Sequence, residues 1–449
     1  MSKSVNSNQP AIRGAMPESG NPATEDYLVS KKYAWYVFAL LSALMFFDFL
    51  DRQIIASLFP FLKQEWGLTD AQCGMLMAAV NWSITVFAIP VAILADRWSR
   101  TKTIGLMATL WSLATVACAF TKNFSQLLMM RLTIGVGEAG YSSAGQAMLS
   151  VLFPARLRAT VIGVFATGFA VLGGAIGIVL GGWIGTHYGW RMALGVVGLP
   201  GLIFSLLFFT LRDYKTVKLT IKTSEDKTSS QSRKMTKKEI IKSILGKPSI
   251  VFLILGQTVG VFFGSLLGAW LPSFFIRVHN LSVMAASQKA GMVFVVCIFG
   301  TFLGGYMADR AVARGITGGR PLAAGICQLI AFVIFFSAFG FAEGQTQFIL
   351  LLLGGFWFQA FQGAVFSGIL ELVNPGLRAT AVSFLIFFQN LAGMALGPVV
   401  AGALSDKYGI ATALTMMSTL PALSMVLFFV CIFFYKYDLA RVEQVKVSM

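Results

Sequence analysis

Ionisable side chains stand inside two strongly apolar segments of this chain. The stretch FFDFLDRQII contains Asp48, Asp51 and Arg52, and a second stretch, RLTIGVGE, begins with Arg131 and ends with Glu138. If both stretches are helical, the spacings i, i+3, i+4 and i, i+7 place each set on one face. A buried carboxyl group can change its protonation, whereas a guanidinium keeps its charge and presents paired donors to carboxylate or phosphate. The pattern predicts an internal site that handles protons and anions.

A fixed ion-pair network that staples the two helices together is the structural alternative. A charge at the centre of a bilayer costs at least ~2.5 kcal/mol on insertion scales, and apolar packing would join two helices without that cost. A network that switches its partners therefore explains these residues better. Asp48 leaves two interpretations open, because it can titrate in its own right or simply neutralise Arg52 one turn away.

The composition predicts a membrane around these residues. The chain of 449 residues has a mean hydropathy of +0.75, and only 12% of its residues are charged. A helix needs roughly 20 apolar residues to cross a bilayer core of about 30 Å. The apolar runs are continuous, unlike the alternating strands of a barrel, and they predict an all-α membrane protein with twelve transmembrane helices. The runs lie near residues 33 to 60, 72 to 95, 103 to 121, 124 to 151, 158 to 185, 191 to 211, 249 to 277, 285 to 308, 321 to 342, 347 to 372, 379 to 404 and 410 to 435.

The net charge of +16 is concentrated in one segment. Residues 212 to 248 hold eleven Lys and Arg residues against four acids, which predicts a cytoplasmic loop and places both termini in the cytoplasm. Residues 1 to 30 have the composition of a disordered cytoplasmic tail, and residues 437 to 449 form a second cytoplasmic tail. The basic segment lacks a base-stacking surface, so it predicts contact with anionic membrane lipids and no binding of nucleic acid.

The same short motifs recur on both sides of the basic loop. LADR at 94 to 97 is matched by MADR at 307 to 310, and LRAT occurs at both 157 to 160 and 377 to 380. Likewise, GGWIGTHYG is matched by AGALSDKYG. The repeat predicts two six-helix halves, residues 31 to 211 and 249 to 436, that rock against each other around a site near the membrane midplane.

These motifs carry a family resemblance. ADRWSRTK, residues 95 to 102, resembles the loop signature of the major facilitator superfamily, and the two-half arrangement agrees with it over nearly the whole chain. FLDRQ at 49 to 53, followed by RLTIGVGEAGYSSAG at 131 to 145, resembles the Spinster-like transporters within that superfamily. The resemblance implies the major facilitator fold and transport by alternating access.

The resemblance also implies roles for the charged residues. Asp51 and Glu138 match proton-coupling acids of Spinster-like transporters, and Arg52 and Arg131 match basic partners that respond to an anionic head group. Asp48 is a third candidate for proton coupling, although the family often has a neutral polar residue there. A similar set of residues occurs in anion:cation symporters that import sugar acids.

The two ADR motifs provide candidate gating residues. These are Asp96, Arg97 and Arg100 in the first half and Asp309 and Arg310 in the second. An aspartate at a helix end can accept hydrogen bonds from the N-terminus of a facing helix, and the arginines can pair across the loop. This predicts a latch that forms when the inner side is closed. A charge cluster that only fixes topology is equally compatible with the motif.

The second half offers an uncharged lining. The candidate substrate-binding residues there are Gln257, Gln359, Gln362, Asn390 and Phe361. Amide and aromatic groups opposite a charged face suit an amphiphile with an anionic head and an apolar body. We therefore expect a monomeric, proton-coupled secondary transporter of lipid-like or other amphiphilic organic anions in a bacterial inner membrane. A symporter for small carboxylates such as sugar acids and a non-transporting receptor are the alternatives.

Other signals are weak. GVGEAG matches the G-x-G-x-x-G dinucleotide motif, but no strand precedes it. The five cysteines are isolated and the two histidines lack neighbouring ligands, which argues against a metal site or another cofactor. With no Walker loop or GxSxG motif, the sequence does not predict an enzyme. Several glycines are expected to permit close helix packing instead: Gly173, Gly174, Gly177, Gly181 and Gly182.

Overall fold

The computed structural model describes residues 29–211, 243–374 and 377–442. Within these ranges the chain consists of helices joined by turns and short irregular links. The predicted all-α class is confirmed. The predicted tails over residues 1 to 28 and 443 to 449, and the basic segment from 212 to 242, lie outside the described residues.

Six helical spans form the first half. α1 is Lys31–Trp66, α2 is Asp70–Arg97, α3 is Arg100–Cys118 and α6 is Trp190–Phe208. α4 has two parts, Phe124–Glu138 and Tyr141–Leu152. α5 contains Ala155–Gly163, the π-helical turn Val164–Gly168 and Phe169–Tyr188.

Six further spans form the second half. α7 is Pro248–His279, α8 is Val283–Ala313 and α9 is Gly319–Gly340. α10 contains Gly344–Gln359 and Phe361–Leu372, and α12 contains Ile410–Met417 and Leu420–Ala440. α11 is Arg378–Phe388, the π-helical turn Gln389–Met394 and Leu396–Tyr408.

Ten of the twelve spans are long and apolar enough to cross a membrane. The other two, α3 and α4, do not meet these requirements for local reasons. α3 begins with Arg100 and Lys102, and α4 is interrupted at Gly140, whose φ of 83° is left-handed and ends the first helical part. Arg131 and Glu138 lower the hydropathy of α4 further. α4 falls short because its two helical parts have only 15 and 12 residues.

A stripe of glycines brings α5 against α1. A Cβ atom at Gly173, Gly177 or Gly181 would lie 2.2 to 2.6 Å from the carbonyl oxygens of Phe46, Leu50 and Ile54, respectively. These distances are shorter than any Cβ contact tolerates, so the predicted role of these glycines in close packing is confirmed. The α1 segment that carries the charged residues is therefore fixed by direct backbone contact with α5.

Replacing Gly177 with alanine is expected to destabilise the protein by about 1–3 kcal/mol, because the added methyl group overlaps the Leu50 carbonyl. Gly163→Ala is the matched control, since its Cβ would meet nothing within 4 Å and alanine is favoured in a helix by about 0.5–1 kcal/mol. Thermal unfolding in detergent compares the two variants. Equal melting temperatures for them would contradict the packing explanation.

The halves meet along three helix pairs: α2 packs on α11, α5 on α8, and α1 on α7. We call the end of the bundle that holds the α1–α2 turn the outer end, following the orientation predicted from the charges, and the opposite end the inner end. At the outer end, glycines permit contact between the halves, because a Cβ at Gly74 would lie 2.4 Å from the Pro398 carbonyl oxygen. The outer end is closed.

Candidate functional site

The two predicted charged faces meet in the first half. Arg52 of α1 donates from Nε to Asp48 Oδ1 at 2.7 Å and from Nη2 to Asp48 Oδ2 at 3.2 Å. The same Nη2 atom lies 2.9 Å from Glu138 Oε2 on α4. One guanidinium thus bridges two carboxyl groups from different helices. The Asp48 and Glu138 side chains are 1% and 0% exposed, whereas Arg52 keeps 15% exposure.

Arg131 has a different environment. Its guanidinium donates to the backbone carbonyl oxygens of Leu76, Asp51 and Arg52, at 3.2 to 3.5 Å. Its ion pair with the Asp51 carboxylate is looser, at 3.8 Å, and its side chain is only 1% exposed. In this conformation Arg131 ties α1 and α2 to α4 and is shielded from any ligand.

Tyr141 is the last member of the charged cluster. It reaches Asp48 because α4 is interrupted before Tyr141. The left-handed Gly140 redirects the chain so that Tyr141 opens the second part of α4. Its hydroxyl group donates to Asp48 Oδ2 at 2.6 Å. Asp51 Oδ2 in turn accepts a hydrogen bond from Thr115 of α3 at 3.1 Å. Tyr141 was not among the predicted site residues, although the GEAGY stretch places it one turn beyond Glu138.

A cavity of about 140 Å³ lies between the halves. Phe49 and Gln53 of α1 line its wall, and these residues flank Arg52 on the same helix. The Arg52 guanidinium carbon lies 5.0 Å from the centre of the Phe49 ring. The charged cluster and the cavity are therefore neighbours, joined by one turn of α1.

Two of the five predicted lining residues of the second half line the cavity, and three do not. Gln359 and Gln362 line the cavity. Gln257 is fully buried and donates to Gln389 at 3.1 Å, and Phe361 is fully buried between the rings of Phe358 and Phe428. Asn390 lies in the π-helical turn of α11. The last three residues are outside the cavity lining, and their substrate contacts stay predictions.

The candidate gating residues of the second half lie at the inner end. Asp309 pairs with Arg320 at 3.5 Å, and Arg320 also donates to Glu371 at 2.8 Å. Arg310 donates to the Tyr306 hydroxyl. These contacts stay within one half. In the first half, the side chains of Asp96, Arg97 and Arg100 lie outside the described part of the structure.

A polar cluster at the outer end joins the two halves and was not predicted. The Asp70 side chain at the start of α2 accepts from Arg277 of α7 at 2.6 and 2.7 Å and from Ser405 of α11 at 2.6 Å. The Asp406 carboxylate accepts from the backbone N–H groups of Asp70 and Ala71 at 2.7 and 2.9 Å. Asp406 thereby occupies the positive end of the α2 dipole, where an anion is stabilised. We call these residues the outer latch.

The fold and the buried charges are those of a membrane transporter, and the comparison with known families agrees. The family model of the Major Facilitator Superfamily matches residues 41–398, so the chain belongs to this superfamily and is an integral, multi-pass membrane protein. Within the superfamily, the relatives that it resembles include Spinster proteins and a hexuronate transporter.

The relatives span nearly the whole chain. Protein spinster homolog 1 of Bos taurus is 27% identical over 432 residues, which cover 89% of this chain and 80% of that protein. The hexuronate transporter of Bacillus subtilis (strain 168) is 24% identical over 81% of this chain and 86% of its own length. The crystal structure of a bacterial homolog of the human lysosomal transporter Spinster, inward-facing and unoccupied, gives a TM-score of 0.78 at 24% identity, covering 91% of this chain and 99% of that one.

Proposed function

We propose that this protein is a proton-coupled secondary transporter of amphiphilic organic anions. The observation that carries the proposal is the sharing of Arg52 between Asp48 and Glu138 beside a cavity with an uncharged lining. An anion that enters the cavity competes with a carboxylate for Arg52. The same guanidinium then links the binding of anion to the release of a carboxyl group.

Charge balance supports one proton in this conformation. The described cluster contains three carboxyl groups, those of Asp48, Asp51 and Glu138, against the guanidinium groups of Arg52 and Arg131. Fully ionised, it would carry an uncompensated negative charge in a low-dielectric interior, which is costly. One bound proton makes the cluster neutral.

The hydrogen bonds favour Glu138 as the carrier of that proton. Both oxygen atoms of the Asp48 carboxyl group already accept hydrogen bonds, from two nitrogen atoms of Arg52 and from Tyr141. Glu138 Oε1 is buried without a hydrogen-bond partner. Protonation removes the charge of Glu138 and weakens its hold on Arg52, so an anion binds Arg52 more readily when Glu138 is protonated.

The contacts between the halves support a mechanism of alternating access. The outer latch closes the outer end, so in this conformation ligands approach from the inner end. Opening to the other side requires the Asp70 and Asp406 contacts to break. Proton and anion reach the same cluster from alternate sides when the halves rock, which is how a gradient of one drives movement of the other.

A symporter for small carboxylates is the second candidate, because the hexuronate transporter resembles this chain over most of its length. Thermal stabilisation of the purified protein distinguishes the two, since ligands that bind only the folded state raise its melting temperature. Lysophospholipids, sphingoid phosphates and other amphiphilic anions are compared with sugar acids at equal concentration. Stabilisation by sugar acids alone would assign the protein to the second class.

Replacing Glu138 with glutamine mimics the protonated carboxyl group. In the wild type, anion affinity is expected to rise as pH falls; in Glu138→Gln, binding is expected to persist without this pH dependence. Ligand-induced melting shifts across a pH series and proton uptake by proteoliposomes provide the measurements. Glu343→Gln, an exposed acid at the start of α10, is the control that keeps the wild-type dependence. A variant Glu138→Gln with unchanged pH-driven uptake would refute the coupling role.

A further inference from the structure

We infer that the preferred anion is a hydroxylated aromatic carboxylate, whose single ring occupies the cavity while its carboxylate binds Arg52. This inference rests on the proposed function and narrows it to one substrate class. It combines the volume of the cavity, its aromatic walls, an unpaired amide oxygen and the adjacent guanidinium.

The volume limits what the cavity can hold. It offers about 140 Å³ between the halves. An apolar protein cavity of about 150 Å³ binds a benzene molecule, so this space accommodates one six-membered ring. A long acyl chain would extend beyond this space. A ring with small substituents is the apolar body that matches its volume.

The repeat explains why a ring-sized space exists opposite the charged cluster. α1 and α7 end at equivalent left-handed residues, Gly67 and Asn280. Counted back from these residues, Gly264 occupies the same place in α7 that Asp51 occupies in α1. Asn123 and Glu343 are the corresponding N-caps of α4 and α10.

Counted from those N-caps, Phe358 occupies the same place in α10 that Glu138 occupies in α4. Gly264 and Phe358 both line the cavity, and Phe49 and Phe294 supply two more aromatic walls. The second half thus has a glycine and an aromatic ring in place of the two acids Asp51 and Glu138. Aromatic walls favour an aromatic guest through edge-to-face and offset stacked contacts.

Gln53 supplies the polar contact to the ring. Its Oε1 atom is buried and has no hydrogen-bond partner. Two glycines leave space for this side chain, because a Cβ at Gly268 would lie 3.0 Å from Gln53 Nε2 and one at Gly174 would lie 3.3 Å from its Cγ. A buried acceptor without a donor is unfavourable until a ligand provides one. A hydroxyl group on the bound ring is such a donor.

Among the described residues next to the cavity, Arg52 is the cation available to the anionic group. Arg131 is sealed by backbone carbonyl groups, whereas Arg52 is partly exposed and lies 5.0 Å above the Phe49 ring. A planar carboxylate accepts two parallel hydrogen bonds from a guanidinium. With the ring beside Phe49 and the hydroxyl group at Gln53, the carboxylate of a benzoic acid is directed toward Arg52.

The test compares four probes on the purified full-length protein: 4-hydroxybenzoate, benzoate, glucuronate and a lysophosphatidate. Dissociation constants and uptake into proteoliposomes are measured for each probe. We expect 4-hydroxybenzoate to bind best, about tenfold more tightly than benzoate, which lacks the donor for Gln53. Gln53→Leu is expected to reduce that ratio to near one, because leucine cannot accept a hydrogen bond.

Gly264→Ala tests the position of the ring. Its Cβ would lie 2.9 Å from the Phe358 ring and fill part of the cavity, so affinity for 4-hydroxybenzoate is expected to fall at least tenfold. Gly305→Ala, whose Cβ meets nothing within 4 Å, is the matched control and retains wild-type affinity. Gln53→Leu keeps the test decisive if Gly264→Ala fails to fold.

The outcomes separate the two proposals. Preferential binding and uptake of glucuronate or lysophosphatidate would overturn the aromatic class and leave an anion transporter. An unchanged preference for 4-hydroxybenzoate over benzoate in Gln53→Leu would also overturn it. Absence of binding and uptake for every organic anion, with the protein folded, would instead reject the proposed function.

Discussion

Arg52→Gln is expected to abolish anion transport and to lower the free energy of unfolding by about 3–5 kcal/mol, the usual cost of removing one partner of a buried ion pair. Three carboxyl groups would then face the single guanidinium of Arg131. The loss of transport follows because Arg52 is the partly exposed cation beside the cavity. Uptake assays and thermal unfolding measure the two effects.

Two comparisons isolate the cause. Arg191→Gln removes another guanidinium that binds a carboxylate at two points, but Arg191 and Glu65 are 41% and 39% exposed. An exposed pair contributes about 0–1 kcal/mol, so this variant should resemble the wild type. Adding Asp48→Asn to Arg52→Gln removes the uncompensated charge and is expected to restore stability but not transport. If Arg52→Gln alone keeps wild-type stability, the buried network is not a stabilising element.

Asp70→Asn is expected to open the outer end. The substitution removes the charge that Arg277 of α7 binds at two points, and Lys63 of α1 also loses its partner at 2.5 Å. Charge-assisted hydrogen bonds are about twice as strong as neutral ones, so the conformation closed at the outer end loses stability relative to the opposite one. The expected result is a population shift of tenfold or more, on the order of 1.4 kcal/mol.

Access to a cysteine placed between the halves measures this shift. Ser287→Cys provides the site, because Ser287 of α8 is buried against Gly182 of α5. Its reaction with an impermeant thiol reagent from the outer side should accelerate in Asp70→Asn. Glu65→Gln is the matched control: it breaks an ion pair at the same end that lies wholly within the first half. Equal acceleration in both variants would show that the outer latch does not hold the halves together.

Much of the architecture is encoded locally and was predicted from the sequence. Apolar runs of about 20 residues fix membrane helices because an unpaired backbone is not tolerated in the bilayer. The duplicated motifs fixed the division into two halves. Likewise, the spacing of Asp48, Asp51 and Arg52 allowed only one helix face, and the structure places them together with Glu138. These features depend on neighbours along the chain.

The pairing of charges between helices could not be predicted from the sequence. Spacing places Arg52 and Arg131 on inward faces, but it leaves the rotation of α1 against α4 undetermined. The glycine contacts between α1 and α5 set that rotation. In the resulting arrangement Arg52 forms ion pairs with Asp48 and Glu138, whereas Arg131 donates hydrogen bonds to backbone carbonyl groups. Helices of equal amphipathic character can pack in several rotations, and only side-chain fit selects one.

By itself, then, the sequence determined the membrane class, the two halves and the burial of the charges, because each follows from hydropathy and helical period. Only the tertiary structure decided the cavity, the buried and unpaired amide oxygen of Gln53 and the outer latch. Asp70 and Asp406 are 336 residues apart, and Asp70 and Arg277 are 207 apart. Such contacts exist in one relative position of the two halves, and a pattern of residues along the chain carries no record of that position.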